Sequence, residues 1–473
     1  MSDTEFLYRR VAGELGELLR SGAFAAGARL PSLRAIAARY GVSLATAMQA
    51  YEALEREGLI EARERSGYFV RPPVCGVECE PDMSQPAQTP GEVTVARLAL
   101  DILEEVRRPG VLNLGAAVPG VEQLPLRPLL REMNSVVREI PAILGRYEVP
   151  AGNPELREQI ARHLLRAGCR YRPDEIIVTN GCMEAITLSL RAVAKSGDTI
   201  AIESPTFYGI LQAIEALGMR ALELPTHPRD GLDLDALEAA LTTQRIAAIL
   251  LVPSFNNPLG SMMPLANRQQ LAKLVARFDV PLIEDDIYGD LGYQSPRLPA
   301  VKSFDRSGNV LLCSSFSKTL APGYRIGYVV AGKHHGRVEH LKLLGNVATA
   351  GLPQLTIARY LKSNRYETMI RSAARTYAQR SEHLRRLILE HFPEGTRVTQ
   401  PQGGFVLWVE LPEHIDAVQL HEAALRQGIA ITPGVIFSPR GDYRHHLRMS
   451  CGQVEGETMR SGVVRLGEIA HRV

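Results

Sequence analysis

Long apolar runs are absent from the sequence, and cysteine, tryptophan and lysine are scarce. The 473 residues include six cysteines, one tryptophan and seven lysines, and 45% of the residues are hydrophobic. A membrane-spanning helix needs about twenty consecutive apolar residues, so none is expected here. The first residues have no apolar segment behind a basic flank, so no signal peptide is expected either. These absences predict a cytoplasmic globular protein with no membrane partner.

The cysteines are scattered along the chain. Cys75 and Cys79 are close to each other, but no second Cys or His pair lies near them at the spacing of a zinc site. Thiols stay reduced in most intracellular proteins. We therefore expect free cysteines and no metal site.

Charge gives little direction by itself. The formal net charge is +2, and residues 1–71 hold ten arginines against nine carboxylates. Such a balance neither demands nor excludes a polyanionic partner. Nucleic-acid binding can therefore be inferred only from where individual side chains lie.

The segment 314–327 places a lysine among hydroxyl groups, directly after an apolar run that reads as a buried strand. Lys318 would then lie in the turn beyond the strand. An amine that is partly desolvated there and close to another cation loses its proton more easily and condenses with an aldehyde. The hydroxyls of Ser315 and Ser317 and the guanidinium of Arg325 are donors suited to a phosphate. Together they suggest pyridoxal 5′-phosphate, although Ser-x-Ser-Lys also occurs by chance in loops.

The amino-terminal part of the chain contains three helical patterns followed by two short strands. Apolar spacing predicts a helix over residues 4–21, and Ser32 and Ser43 are placed to cap two further helices. Two helices joined by a glycine-containing turn form a helix-turn-helix unit, whose second helix enters the major groove of DNA. The segments 59–62 and 67–70 then read as the strands of a wing. A plain small helical domain is the alternative.

The rest of the chain has the pattern of an α/β protein. A segment rich in Pro, Gln and Ser predicts a linker, which we assign to residues 72–96, although a helical pattern begins within it and covers 92–107. Short apolar strands then alternate with helices, which implies a mostly parallel sheet covered on both faces. Helices and strands beyond about residue 350 indicate a smaller α+β lobe. The predicted domains are therefore 1–71, the linker, and 97–473.

Chemically useful side chains follow several of the predicted strands. Ligands of open α/β sheets bind beyond the carboxyl ends of the strands. Gly181 begins a helix whose free amides can bind an anion. Phe207 offers an aromatic face to a ring, and the side-chain amide of Asn257 can donate to a phenolate oxygen. Asp285 is a carboxylate that could keep a pyridine nitrogen protonated. Each has an ordinary structural explanation as a cap, a turn or a solvated acid, but their order and placement favour a cofactor site.

On these motifs, residues from about 97 to 473 resemble a fold-type I, class I/II aminotransferase. The resemblance implies that Lys318 holds pyridoxal phosphate as an aldimine and that Asp285 pairs with the pyridine nitrogen. It also implies that Tyr147 reaches the phosphate across a dimer interface and that Arg448 binds a substrate carboxylate, for which a guanidinium fork is suited; a surface arginine is the alternative for Arg448. The remaining implied contacts are Asn257 and Tyr288 to the 3′ oxygen, Phe207 to the ring, and Cys182, Met183, Ser315, Ser317 and Arg325 to the phosphate.

Residues 1–71 closely resemble a GntR-type winged helix, through the motifs Leu30-Pro31-Ser32-Leu33-Arg34 and Ser66-Gly67-Tyr68-Phe69-Val70. GntR proteins usually carry a basic residue after the serine that aligns with Ser43, whereas this chain has Leu44. The fusion of the two domains resembles the MocR subfamily of transcriptional regulators. The implied DNA contacts are Arg34, Ser43, Thr46, Gln49, Ser66 and Gly67.

The combined resemblance implies a homodimeric regulator that binds double-stranded DNA. Its second domain would sense pyridoxal phosphate, or an amino compound, through the aldimine at Lys318. The alternative is an active aminotransferase with an appended DNA-binding module, in which Lys318, Asp285 and Tyr288 would be catalytic. A third hypothesis is a DNA-binding dimer whose second domain is inactive.

Overall fold

The computed structural model describes residues 3–20, 24, 27–56, 59–63, 67–70, 79–95, 97, 99–100, 104 and 110–473. The chain divides into two compact units, Met1–Cys79 and Glu80–Val473. No helix in the described ranges is both long and apolar enough to cross a bilayer.

The described residues of the first unit form three helices and an antiparallel pair of strands. Ser32 caps the second helix by accepting a hydrogen bond from Ala35 N, and Gly41 ends it with a φ of 62°. Residues with a side chain rarely adopt this left-handed backbone conformation, whereas glycine adopts it readily. The predicted helix-turn-helix and wing are confirmed. The elements are α1 (Asp3–Arg20), α2 (Leu33–Tyr40), α3 (Leu44–Arg56), β1 (Ile60–Arg63) and β2 (Gly67–Val70).

An eight-stranded sheet forms the centre of the second unit, in the order β4-β11-β10-β9-β8-β5-β6-β7. Strands β6, β5, β8, β9 and β10 are parallel neighbours, as predicted. Strand β11 runs antiparallel between β10 and β4, and β7 runs antiparallel to β6. The strands are β3 (Leu112–Asn113, outside this sheet), β4 (Ile177–Thr179), β5 (Thr199–Ser204), β6 (Arg220–His227), β7 (Gly231–Leu232), β8 (Ala248–Leu251), β9 (Leu282–Asp285), β10 (Val310–Ser315) and β11 (Gly327–Val330).

Helices cover both faces of this sheet. Successive side chains of a strand point to opposite faces, so a strand that is apolar throughout has two apolar faces to bury. Ile202 lies in a buried cluster with Ile186 and Ile210, whereas its neighbour Ala201 lies in a separate cluster with Leu237. Two hydrophobic layers therefore hold the sheet rigid from both sides. The helices of this part are α4 (Leu126–Glu139), α5 (Pro154–Leu164), α6 (Cys182–Val193), α7 (Tyr208–Ala216), α8 (Leu234–Thr243), α9 (Leu265–Phe278), α10 (His335–Asn346) and α11 (Gly351–Lys362).

The carboxyl-terminal part forms the predicted smaller α+β lobe. An antiparallel sheet in the order β12-β13-β16-β15 packs against helices, and Trp408 is buried beside Phe437, with their ring centroids 5.3 Å apart. Strand β14 pairs in parallel with β3, which ties the lobe to an earlier part of the chain. The elements are α12 (Tyr366–His391), β12 (Arg397–Val398), β13 (Val406–Glu410), α13 (Ala417–Arg426), β14 (Ile429–Ala430), β15 (Thr432–Pro433), β16 (His446–Ser450) and α14 (Gly456–Ala470).

Residues 80–95 fall within the predicted linker but pack on the second unit; we call this segment the strap. On the sheet side, Ser84 Oγ donates to Ser204 O over 2.6 Å, and Gly91 forms an antiparallel bridge with Ala221. Val93 and Val95 are buried in one of the two clusters that cover the sheet. The helix predicted from residue 92 is therefore wrong at its start, because residues 92–95 are not helical and Gly91 before them bridges to Ala221.

The strap also bonds the smaller lobe. Gln400 N donates to Glu80 Oε1 over 2.8 Å, and Arg397 Nη1 donates to Asp82 Oδ2 over 2.7 Å. Glu80 in addition pairs with Arg229, which follows β6. The strap therefore links the large sheet with the lobe, and the second unit begins at Glu80.

We expect the double substitution Val93→Ala and Val95→Ala to destabilise the second unit. Each removes two buried methyl groups, so the free energy of unfolding should fall by roughly 3 kcal/mol in total. Urea unfolding of the full chain measures this. The matched control is Val121→Ala with Val149→Ala, which removes the same atoms from exposed side chains. Equal effects of the two pairs would contradict the packed strap.

Candidate functional site

A cavity of about 430 Å³ lies where β9 and β10 end and α6 begins. This cavity is lined by ten of the residues that we predicted from the sequence to bind a cofactor. Because the carboxyl ends of parallel strands meet at one edge of a sheet, residues far apart in sequence converge there. The ten are Cys182, Met183, Phe207, Asn257, Asp285, Tyr288, Ser315, Ser317, Lys318 and Arg325.

Lys318 lies in the turn that follows β10. Its Nζ donates to Ala117 O over 2.6 Å and lies 5.6 Å from the centre of the Tyr288 ring. Burial lowers the pKa of Lys318 to about 8, Arg448 adds to this effect, and Asp285 opposes it. A substantial share of the amine is therefore neutral near physiological pH, as a nucleophilic lysine requires.

Asp285, the last residue of β9, points its carboxylate into the cavity. Its Oδ1 accepts from Ile287 N over 3.0 Å and from the Cys182 thiol over 3.3 Å. Burial raises the pKa of Asp285 to about 6, although the hydrogen bonds from Cys182 and Ile287 lower it. The group is therefore mainly an anion at neutral pH, with a charge available for a cation in the cavity.

The start of α6 and the residues around Arg325 form a site for an anion, which we call the anion cup: 180–183, Ser315, Ser317 and Arg325. Arg325 Nη1 donates to Ser317 Oγ over 3.3 Å, and its Nη2 donates to Asn180 O over 3.5 Å. A Cβ on Gly181 would lie 2.5 Å from Arg325 Nη2, so glycine is needed for this close approach. The first amides of a helix have no partner within the helix, so they add to the donors of the cup.

Aromatic side chains bound the middle of the cavity. Phe207 and Tyr208 pack with ring centroids 4.6 Å apart. Tyr288 is buried, and its hydroxyl has no hydrogen-bond partner among the described residues. A buried hydroxyl without a partner is costly, so this oxygen is available to a bound molecule.

Arg448, on β16 of the smaller lobe, is 1% exposed, which excludes the surface alternative for this residue. Its Nη2 and Nε donate to Gly115 O over 2.8 and 3.1 Å, and its Nη1 donates to Asn257 Oδ1 over 2.9 Å. Burial lowers the pKa of Arg448, and Tyr208 and Tyr288 oppose this effect. In the part of the chain that the structure describes, no carboxylate forms an ion pair with it. Its positive charge is therefore not neutralised by a carboxylate there, although Arg448 is not among the residues that line the cavity.

The cavity has further lining residues that the sequence did not assign to the site: Asn113, Ala116, Ala117, Val118, Tyr208, Val252, Ile287 and Gln453. The side chain of Asn113 accepts from Gly115 N over 3.1 Å and from Ala116 N over 2.8 Å, which shapes the loop below Lys318. A two-residue strand such as β3 gives no periodic signal. The position of this loop depends on the pairing of β3 with β14, which lies more than 300 residues later in the chain.

The predicted DNA contacts lie around the start of α3. Arg34, Ser43, Gln49 and Gly67 are exposed, whereas Thr46 is only 2% exposed. The Ser43 hydroxyl caps α3 by accepting from Thr46 N over 3.1 Å, and the two hydroxyls are 2.8 Å apart. Thr46 therefore supports the helix start, which does not fit the predicted DNA contact. Ser66 lies outside the described residues.

Tyr147 is not among the residues that line the cavity and is 89% exposed. An exposed tyrosine there is compatible with a contact made only by a second chain. Cys79, Cys169, Cys182, Cys313 and Cys451 are free thiols. Within the described ranges, no group of three His, Cys, Asp or Glu residues is arranged to hold a metal ion.

Two family profiles match separate parts of the chain. Aminotransferase class I and II covers residues 110–466, and the gntR family of bacterial regulatory proteins covers residues 7–70. The chain is similar over almost its whole length to two Escherichia coli K12 proteins, both named uncharacterized HTH-type transcriptional regulators. YjiR is 39% identical, with 98% of this chain and 99% of that protein covered. YdcR is 38% identical, with 98% of each covered.

A solved structure resembles the second unit. It is LysN, an alpha-aminoadipate aminotransferase from Thermus thermophilus, complexed with N-(5′-phosphopyridoxyl)-L-leucine. The two chains are 28% identical with a TM-score of 0.74, and the match covers 79% of this chain and 94% of LysN. The chain therefore belongs to the MocR subfamily of GntR-type regulators, in which a gntR-family domain is joined to an aminotransferase class I and II domain.

Proposed function

We propose that this protein is a transcriptional regulator that binds double-stranded DNA with its first unit. Its second unit binds pyridoxal phosphate and senses either the cofactor or an amino compound that reacts with it. The observation that carries this proposal is the cavity at the strand ends, which is lined by ten residues suited to the cofactor.

The residues present fit the cofactor. The anion cup offers two hydroxyls, a guanidinium and the first amides of α6 to a phosphate. Asp285 supplies a carboxylate for the pyridine nitrogen, and the unpartnered hydroxyl of Tyr288 is available to the 3′ oxygen. When bound, pyridoxal phosphate supplies an aldehyde that reacts with amines and a ring that withdraws electrons.

The chain's own residues then select and orient the amine. Lys318 offers a partly neutral amine, because burial lowers its pKa to about 8. Arg448 offers a buried cation to a carboxylate, which favours amino acids over simple amines. Phe207 offers a face for the ring. In this proposal the amine effector carries an α-carboxylate.

The strap supports a route from the cavity to the first unit. It bonds the sheet at Ser204 and the smaller lobe at Arg397, and it follows the first unit directly in sequence. A ligand changes the protein's conformation only through different affinities for two arrangements. Movement of the smaller lobe on ligand binding would have to alter the strap, and through it the chain that leads from the DNA-binding unit.

Exposed apolar residues support a homodimer. Leu130, Leu144 and Leu344 are all more than half exposed, and Tyr147 lies in the same part of the sequence as Leu144. Large apolar side chains left exposed on a protein surface are candidates for an interface, because covering them is favourable. A second copy would cover such residues and bring Tyr147 to the partner's cavity. We infer that the homodimer works in the cytoplasm.

The test is footprinting of the purified protein on the intergenic DNA beside its own gene. We expect protection whose extent or affinity changes when pyridoxal phosphate, or the cofactor with candidate amino acids, is added. Identical protection and affinity under all conditions would refute sensing, and no protection would refute DNA binding at that site.

We expect Gln49→Ala to weaken operator binding about 5- to 150-fold, because an amide that reads a base contributes about 1–3 kcal/mol. Non-specific binding at low salt should change little, since phosphate contacts dominate it. Gel-shift titrations on operator and random duplexes measure both. Gln419→Ala, at an exposed position in the second unit, is the matched control. Equal loss on both duplexes would show that Gln49 does not read bases.

A further inference from the structure

A cluster of polar side chains lies directly behind the anion cup. Glu184, in the first turn of α6, accepts at Oε2 from Asn180 N over 2.6 Å and from Lys342 Nζ over 3.0 Å. Its Oε1 accepts from the side-chain amides of Asn346 and Asn180. Four donors therefore surround this one carboxylate.

Lys342 supplies the positive charge of the cluster. It lies on α10, its side chain is 0% exposed, and Nζ also donates to Asn346 Oδ1 over 2.9 Å. Burial lowers the pKa of Lys342, and the interaction with Glu184 opposes this. Among the described residues, Glu184 is the only carboxylate within ion-pair distance of Lys342. A buried ammonium is retained when a partner of this kind compensates for its lost hydration.

The cluster holds the main chain of the cup from behind. The N–H of Asn180 donates to Glu184, while its carbonyl accepts from Arg325 Nη2 over 3.5 Å. The next two residues are Gly181 and the first residue of α6. Glu184 and Arg325 therefore fix the orientation of the segment whose amides would meet a phosphate.

A strained turn adjoins the cluster. Val347 has a φ of 62° and a ψ of −63°, and Ala348 N donates to Asn346 O over 2.6 Å, which closes a γ-turn. A β-branched residue rarely adopts this conformation, so the surrounding structure must impose it. The bonds from Asn346 to Glu184 and Lys342 are the constraints next to it. The end of α10 is thus held against the cup at a conformational cost.

We propose that Glu184 and Lys342 are positioning residues of the anion cup, in which Glu184 orients the Asn180 main chain and Lys342 cancels the charge of Glu184. A carboxylate on the first turn of a phosphate-binding helix would otherwise repel the dianion that the helix attracts. This assignment rests on the proposed binding of pyridoxal phosphate. It adds a requirement beyond the residues of the anion cup: the charge of Glu184 must be neutralised for the cup to bind a phosphate well.

The test compares pyridoxal phosphate with pyridoxal, which lacks the phosphate. We expect Lys342→Met to weaken binding of pyridoxal phosphate by about tenfold or more, because an uncompensated charge then faces the phosphate. Binding of pyridoxal should change less than about threefold, because its aldehyde and ring do not use the cup. Spectroscopic titration of the full chain gives both dissociation constants. The matched control is Lys333→Met, a partly exposed lysine paired with Asp279.

Two further variants keep the test decisive. Glu184→Gln removes the negative charge but keeps a side-chain oxygen that can accept from Asn180 N, so it should not lower the preference for pyridoxal phosphate over pyridoxal. Adding Glu184→Gln to Lys342→Met should restore most of that preference. If Lys342→Met does not fold, Glu184→Gln still tests the sign of the effect. An equal loss for both ligands in Lys342→Met, or a reduced preference in Glu184→Gln, would overturn the assignment; wild-type protein that binds neither ligand would overturn the proposed function itself.

Discussion

Replacing Lys318 with alanine is expected to abolish covalent retention of pyridoxal phosphate. Lys318 is the lysine that lines the cavity, and its Nζ lies 5.6 Å from the Tyr288 ring centre. After incubation with the cofactor and reduction with borohydride, the wild-type peptide that contains Lys318 should gain the mass of the reduced cofactor. The Lys318→Ala variant should release the cofactor on dialysis, because no covalent bond holds it.

The pH dependence follows from the lowered pKa of Lys318, which is about 8. At pH 7 about a tenth of this amine is neutral, against less than about a thousandth for an unperturbed lysine. The rate of reaction with the aldehyde should therefore rise between about pH 6 and 8 and level off above about pH 9. For an ordinary lysine it would keep rising to about pH 10. Stopped-flow absorbance with the free cofactor measures this profile.

Lys333→Ala is the control, since Lys333 lies outside the cavity and pairs with Asp279. Label on Lys333 or another lysine instead of Lys318 would contradict the assignment. A wild-type protein that takes no label would favour a DNA-binding dimer with an inactive second domain. Repeated turnover of an amino acid with an oxo acid, lost in Lys318→Ala, would favour the enzyme hypothesis.

Asp290→Asn is expected to destabilise the second unit by about 3–5 kcal/mol, the usual cost of removing one partner from a buried ion network. The side chain of Asp290 is 8% exposed and accepts from Arg297 Nη1 over 2.9 Å and from the Tyr366 hydroxyl over 2.7 Å. His163 Nε2 lies 2.9 Å from Oδ2, the oxygen that Tyr366 also contacts. The substitution leaves Arg297 with one carboxylate, Asp286, in place of two.

The effect should depend on pH. Burial raises the pKa of Asp290, but the interactions with His163, Arg297 and Arg166 outweigh it and hold the pKa well below its ordinary value. A carboxylate whose pKa is lower in the folded state stabilises the fold fully above its unfolded pKa of about 4. That contribution is lost as the pH falls through the folded pKa. The stability difference between wild type and Asp290→Asn should therefore shrink as the pH falls below about 4.

Thermal or urea unfolding between pH 3 and 8 gives this difference. Asp174→Asn is the control, because Asp174 is two-thirds exposed and its pair with Arg172 lies at the surface. Exposed ion pairs contribute about 0–1 kcal/mol, so the control should change stability little. A difference for Asp290→Asn that grows as the pH falls below about 4 would refute the assumed charge state of Asp290.

The positions of Lys318, Asp285 and the anion cup could be predicted because they lie at the ends of strands or just beyond them. One local pattern, an apolar run and then a polar turn, marks these strand ends, and the parallel order of the strands brings the ends together. The network around Asp290 could not be predicted in this way. His163, Arg297 and Tyr366 come from three separate parts of the chain, and nothing in their local sequence indicates that they meet.

Helical periodicity also fails to separate a capping residue from a contact residue. Thr46 lies one turn from Ser43 and has the polar side chain expected of a DNA contact, yet it is buried under the start of α3. Serine and threonine near a helix start commonly bond the local main chain. The burial of the side chain distinguishes the two roles, and it depends on tertiary packing that the local sequence does not contain.

The strap has a consequence for the order of folding. Its bonds join residues that are 120 positions apart at Ser84–Ser204, 315 at Asp82–Arg397 and 351 at Thr89–Arg440. The first unit contains hydrogen bonds between residues that are much closer in sequence, such as the bond from the Tyr51 hydroxyl to Pro31 O, which spans 20 positions. Chains fold from the amino end during synthesis, and contacts between distant residues form late. On a ribosome the DNA-binding unit can therefore be complete long before the strap closes, and the strap closes only when nearly the whole chain has emerged.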